Sequence, residues 1–336
     1  MPQDNTILLA HGGGGELSGE LIRREILTRF KSRELARLAD AAVLDFPGGR
    51  LALTTDGYVV RPLFFRGGDI GRLCVSGTVN DLLVSGAKPL YLSLGIIVRD
   101  GFPLADFRRI LDSIAATAAE AGVEVVTGDT KTVDHAAADG IFLTTAGVGV
   151  VPAASHLDYA AARDGDAVLV SGTMGDHGVA IMAEREQLGF SSPVESDVAP
   201  LNDVVAALLA AAPGARCLKD PTRGGLAAAL NEIARACGRT MVIEEAHVPV
   251  REAVAGACDL LGLDVLAVAN EGKIVAVVPA AEAEATLAAL RGTPRGREAA
   301  IIGRVQDGPA RVIGVSALGG QRIIEMPYGE ELPRIC

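Results

Sequence analysis

The stretch TTDGYVVRPLFFRGGDIGRLCVSGTVNDLLVSGAKPLYLS, residues 54–93, runs from a strand through a helix into a second strand. Its first part, extended back as RLALTTDGYVV (50–60), is rich in β-branched residues and ends at a polar edge, which predicts a strand. IGRLCVSGTVNDLLVSGA (70–87) reads as a helix and PLYLSLGIIV (89–98) as a strand. The helix that follows, PLADFRRILDSIAATAAEAG (103–122), is the clearest in the chain. Leu104, Phe107, Ile110, Leu111 and Ile114 recur at helical spacing, Pro103 suits a first turn, and Gly122 suits a cap. VEVVTGD (123–129) and GIFLTTAGVGVV (140–151) are strands again.

Outward from there, DAVLVSG (166–172) opens a second pass of the same character, with strands, helices and TMVIEE (240–245) as a further strand. VLAVANEGKIVAVVP (265–279) predicts two strands around a tight hairpin at Asn270, Glu271, Gly272 and Lys273. A helix over 280–291 and two more strands precede the tail. The expected class is therefore mixed α/β, in two units: residues 41–152 and 153–322. Residues 1–40 read as an appendage with one charged helix, and 323–336 as a flexible tail.

Composition narrows the function. The chain has 336 residues and a net charge of −11, which argues against a nucleic-acid partner and offers no basic run for a membrane surface. No apolar run reaches the roughly 20 residues a bilayer needs, and the N-terminus lacks a signal-peptide pattern. Five cysteines form no CxxC pair and no metal-ligand spacing, so a reducing, cytoplasmic home is expected.

Several acids sit where a bare carboxylate is costly: Asp40, Asp56, Asp81, Asp129 and Asp220, at strand ends or inside an apolar helix. Each alone reads as an ordinary cap or turn residue. Together they suggest one cation site, with Mg2+ completing its shell from substrate phosphate. No Walker A motif and no GxGxxG exist, but TRGGL (222–226) directly precedes a helix whose first amides could hold an anion. HGGGGE (11–16) reads equally as a phosphate flap or a linker.

With VVTGDTK (125–131), KDPTRGG (219–225), NEGK (270–273) and the terminal PRIC (333–336), the 54–93 stretch resembles the HypE family. These are carbamoyl dehydratases of NiFe-hydrogenase maturation, in the AIR-synthetase-like (PurM-like) group of ATP-dependent enzymes. The resemblance spans essentially the whole chain, from the glycine run to Cys336. It implies a two-domain fold whose N-terminal mixed sheet pairs in a homodimer, with ATP bound near that interface. It makes Asp40, Asp56, Asp81 and Asp220 the candidates for Mg2+ and phosphate. Asn80, Gly128, Asp129 and Thr130 would line the nucleotide, joined by Thr222 and Arg223 at the helix head. Lys131 and Glu271 become the catalytic pair and Cys336 the carrier. Residues 36–47 match only loosely, so Asp45 stands beside Asp40 as an alternative ligand.

The same resemblance implies two sets of partners. A carbamoyltransferase, HypF, would load a carboxamide onto the terminal sulfur, and an iron held by HypC and HypD would accept the cyano group after ATP-driven dehydration. The residues suit that role mechanically. From Met326 to Cys336 the tail can reach roughly 35 Å at about 3.3 Å per residue, with prolines and a glycine that discourage helix. Nearby acids and the α-carboxylate disfavour the thiolate, so the sulfur reads as a carrier and not a self-sufficient nucleophile. Two other readings stay open here. One is another reaction of the same superfamily, such as selenophosphate synthetase, AIR synthetase or thiamine-monophosphate kinase. The other is a non-catalytic scaffold. His11 and His135 receive no role.

Overall fold

Residues 50–99 form the strand, helix and strand read from the sequence: β1 (Arg50–Tyr58), α1 (Ile70–Val84) and β2 (Lys88–Arg99). The computed structural model describes residues 6–7, 21–30, 50–186, 194–327 and 334–336. Asp40, Asp45, His11 and the N-terminal glycine run lie outside them.

α1 is capped by Asp69, whose Oδ1 accepts from the amides of Gly71 at 2.7 Å and Arg72 at 3.0 Å. It is buried on nearly every face because a second layer packs on each side of it. α2 (Leu104–Ala121) is instead one-sided, burying Phe107, Ile110, Leu111, Ile114 and Ala118. After it come β3 (Glu124–Val133) and β4 (Ile141–Val151). The four strands lie in the order β1-β4-β2-β3, with only β2 and β3 parallel, joined by the α2 crossover.

One face of this sheet carries α1. The other leaves Leu51, Leu53, Val59 and Ile97 exposed. Alternation along β1 and β2 puts these side chains on one side, away from the core.

The second unit begins with β5 (Ala167–Val170), α3 (Asp176–Arg185), α4 (Asn202–Ala211), β6 (Cys217–Lys219) and α5 (Gly225–Cys237). It continues through β7 (Thr240–Glu244), α6 (Glu252–Leu261), β8 (Val275–Val278), α7 (Ala283–Arg291), β9 (Ala300–Gln306), β10 (Arg311–Val315) and β11 (Gln321–Ile323). Its strand order is β6-β8-β5-β9-β7-β10-β11, with β7 and β10 parallel. Among the described residues no helix is long and apolar enough to cross a membrane.

Three expectations change. The predicted hairpin over 265–279 is a 3-10 turn (Val265–Ala267), a loop, and one strand, β8. α6 was not anticipated, and three strands follow α7 where two were expected. The hairpin fails because Asn270 is fully buried and anchors the loop instead of turning at the surface. Its Oδ1 accepts from the Gly175 amide at 2.7 Å, and its Nδ2 donates to Pro221 O and Val268 O, each at 3.1 Å. Gly272 is required there, since a Cβ would overlap the backbone carbonyl of Asp197.

Candidate active site between the two units

Acids from both units converge on the α1 side of β1. The alternation that exposes Leu53 and Thr55 turns Thr54 and Asp56 inward. Thr54 Oγ1 donates to Asp81 Oδ2 at 2.8 Å, fixing that carboxylate near the end of α1. Asp220, directly after β6, comes from the other unit. Both line a cleft of about 700 Å³ with Thr54, Ser85, Tyr159 and Lys219. Burial, then the neighbouring Asp81 charge, pushes the Asp220 carboxyl up to about 7. Burial also raises Asp81, against the Thr54 hydrogen bond and with the help of Asp56.

Glu271 lies beneath this group and is 4 % exposed. Its amide donates to Asp197 Oδ1 at 3.0 Å, while its Oε1 is buried with no hydrogen-bond partner. Burial and then the charges of Asp220, Asp197, Asp56 and Asp81 raise this carboxyl well above the usual range. Among the described residues no group of three or more His, Cys, Asp or Glu is close enough to hold a metal ion alone. Asp56, Asp81 and Asp220 therefore do not make a protein-only cage. Their mutual repulsion still marks a place short of positive charge. It suits Mg2+, which takes one or two carboxylates and leaves its remaining positions to water and phosphate.

The residues expected to line the nucleotide divide. Asn80 is buried, with Nδ2 donating to Ala199 O at 3.0 Å and Glu271 O at 3.3 Å. Its Oδ1 accepts from the Leu201 amide at 3.0 Å, so the whole amide ties α1 to the loops of the second unit. Thr222 and exposed Arg223 head α5. Behind them Gly225, at φ 58°, brings its backbone so near Val268 O and Leu266 O that a Cβ would lie 2.5 and 2.6 Å away.

Gly128, Asp129, Thr130 and Lys131 sit on β3, the far edge of the sheet from β1. With two strands between, that is about 14 Å at ~4.8 Å per strand. Asp129 and Lys131 pair in register with Gly95 and Ile97, on the exposed apolar face. Lys131 Nζ stands 3.5 Å from Asp129 Oδ2, both exposed. One chain by itself thus separates Lys131 from Glu271. His135 is exposed and stands 3.2 Å from Arg99 Nη1.

The last three residues are docked. The Val59 amide donates to Cys336 O and the Arg61 amide to Arg334 O, both at 3.1 Å, extending the chain past β1. Ile335 is buried, and Cys336 packs against an apolar core shared by both units. Asp56 lies three residues before Val59, about 10 Å along an extended chain.

The N- and C-terminal AIR synthase related protein families match residues 38–151 and 163–316. The chain is 53% identical over 330 residues to the carbamoyl dehydratase HypE of Cupriavidus necator, covering 98% of this chain and 94% of that one. It belongs to the HypE family.

The HypE of Escherichia coli is 46% identical over 338 residues, 99% of this chain and 100% of that one. A crystal structure of the hydrogenase maturation protein HypE in complex with ATP superimposes with a TM-score of 0.95 at 46% identity, over 98% and 100% of the two chains. A HypE–HypF complex matches with a TM-score of 0.81 at 44% identity, over 91% and 99%.

The sequence alone did not reveal the groups that frame this candidate site. Lys273 is buried, 3.2 Å from Asp197 and 3.8 Å from Asp176, and Asp176 is fully enclosed. Burial and then Asp197 push Asp176 up to about 6. A lysine directly before the apolar run IVAVV was a usable signal, because a buried ammonium demands a carboxylate. His177 gave no such signal, since its partners lie on distant segments.

Proposed function

We propose that this chain dehydrates a carboxamide carried on its own Cys336 sulfur, with ATP and Mg2+, to give the thiocyanate that supplies cyanide to NiFe-hydrogenase iron. The observation that carries this reading is the docking of Arg334, Ile335 and Cys336 beside β1, the strand that bears Asp56. A HypE solved with ATP and another solved with HypF support the nucleotide and the loading partner.

An amide oxygen leaves poorly as hydroxide. ATP, when bound, supplies a phosphoryl group that turns that oxygen into phosphate, and Mg2+ screens the charge. Asp56, Asp81 and Asp220 are the residues that would hold the metal. The chain's own tasks are then to fix the carrier, exclude water and accept protons. The net change is S–C(=O)NH2 plus ATP to S–C≡N, ADP, phosphate and a proton. The amide nitrogen gives up both hydrogens, and the carbon–oxygen bond breaks as phosphate departs. Glu271 is the buried carboxyl placed to accept a nitrogen proton. A cation at Asp81 and Asp220 would favour the ionised form that a general base needs.

The test is the intact mass of the chain after incubation with carbamoyl phosphate, the carbamoyltransferase and ATP. A small adduct on the terminal peptide should form first, then lose the mass of one water in an ATP- and Mg2+-dependent step. A loaded peptide that never loses water sinks the dehydratase reading. A selenophosphate synthetase or small-molecule kinase would give the docked cysteine no task.

The apolar sheet face supports a homodimer, with the sheets of two copies packed together. Leu53, 74% exposed on the centre of β1, is the residue to change. Leu53→Asp should weaken the dimer at least about 100-fold and lower turnover with it, as seen by sedimentation and single-turnover rates. A dimer of unchanged affinity would place the interface elsewhere. HypC and HypD are the proposed acceptors and the cytoplasm the proposed compartment.

A further inference from the structure

His177 has no part in the chemistry above, yet it is fully buried and bonded at both ring nitrogens. Its Nε2 is 3.0 Å from Ile335 O, a carbonyl that only accepts, so Nε2 carries the proton. Its Nδ1 is 2.8 Å from Ser196 Oγ. The Ser196 hydroxyl already accepts from the Val198 amide at 3.1 Å, leaving its own hydrogen to donate to Nδ1. The Ile335 carbonyl requires the proton on Nε2, burial lowers the imidazole pKa and favours the neutral ring, and Nδ1 then accepts from the Ser196 hydroxyl. The ring edge packs on Phe65, with centroids 5.6 Å apart at 85°.

The rest of the docked peptide needs such a hold. Arg334 takes a left-handed φ of 56°, a strained conformation for a residue with a Cβ. Its carbonyl accepts from Arg185 Nη2 at 2.8 Å and from the Arg61 amide at 3.1 Å, and its side chain reaches Asp139 and Val59 O. The segment that holds His177 also holds the proposed base. Ser196 is followed by Asp197, which accepts from the Glu271 amide, and then by Ala199 and Leu201, which bond Asn80.

We propose that His177, held in place by Ser196, is the positioning residue that keeps the carrier peptide docked for dehydration. The inference rests on the reading of Cys336 as carrier, and it adds the group that decides how long the carrier stays. Releasing the tail toward a partner means breaking the bond from His177 to Ile335, while the left-handed Arg334 relaxes.

The experiment is the rate of alkylation of Cys336 by iodoacetamide, followed on the terminal peptide, for wild type, His177→Ala, His177→Gln and Ser196→Ala. Loss of the buried bond should raise that rate about tenfold in His177→Ala. The Gln variant keeps a donor to the carbonyl and should return it toward wild type. Ser196→Ala, which removes the ring's second hydrogen bond, should give a smaller rise. On carrier already loaded, single-turnover dehydration should slow in His177→Ala, while loading by the carbamoyltransferase is unchanged or faster. Equal alkylation in wild type and both Ala variants overturns the proposal. If His177→Ala does not fold, Ser196→Ala decides alone: a raised rate supports the latch and an unchanged rate overturns it. Alkylation needs no carboxamide, so wild-type protein that never loads would defeat the carrier reading without touching this result.

Discussion

Glu271→Gln is expected to slow dehydration of preloaded carrier about 10³-fold, since general bases contribute roughly 10²- to 10⁴-fold. Gln keeps the volume and the backbone bond from residue 271 to Asp197 Oδ1, so the loop geometry is retained. What disappears is the carboxylate that accepts the nitrogen proton. Loading of Cys336 should be unaffected, because that step needs no base at this site. A Gln variant that turns over at the wild-type rate assigns the base elsewhere.

The same substitution should stabilise the unliganded fold. Glu271 has its folded pKa raised above the ordinary 4.5 by burial and four neighbouring carboxylates. The folded state then holds a proton the unfolded state has released, so stability falls as pH climbs from about 4.5 through the raised value. Gln removes this loss, and its melting-temperature advantage over wild type should grow with pH. Some slope remains in both, because Asp220 behaves the same way between its ordinary 3.8 and about 7. A wild type and variant whose melting temperatures run parallel from about pH 5 to 8 would mean that Glu271 is not the strained group.

Cys336→Ala should abolish cyano-group formation while leaving ATP binding intact. The peptide is docked through the Cys336, Ile335 and Arg334 carbonyls, which Ala retains. The loss is therefore of the carrier atom and not of the tail's position. Thermal shift by Mg–ATP is the control, and it should match wild type. Any cyanide product from the Ala variant would show that the sulfur is not the carrier.

Much of this was legible along the chain. β1, α1 and β2 follow from β-branched runs and a helix, and the α2 pattern needed only its own periodicity. Asp81 stood out because it interrupts an apolar helix, and it does meet Thr54 and the charge of Asp56. NEGK misled because Asn and Gly favour a surface turn by their local conformations. Here Asn270 bonds to residues 175 and 221, and such partners leave no mark on neighbouring positions.

The sequence by itself determined most of the elements, the excess of acids at strand ends, the sulfur at the last position and the family. Local periodicity and composition act within a few residues, so they are enough for those. Tertiary structure alone decided that Asp220 and Glu271 share one neighbourhood, and that Lys131 lies at the opposite sheet edge. It also decided that His177 meets Ile335 across 158 positions of chain. Those outcomes depend on how two sheets and their loops stack, which no local pattern encodes.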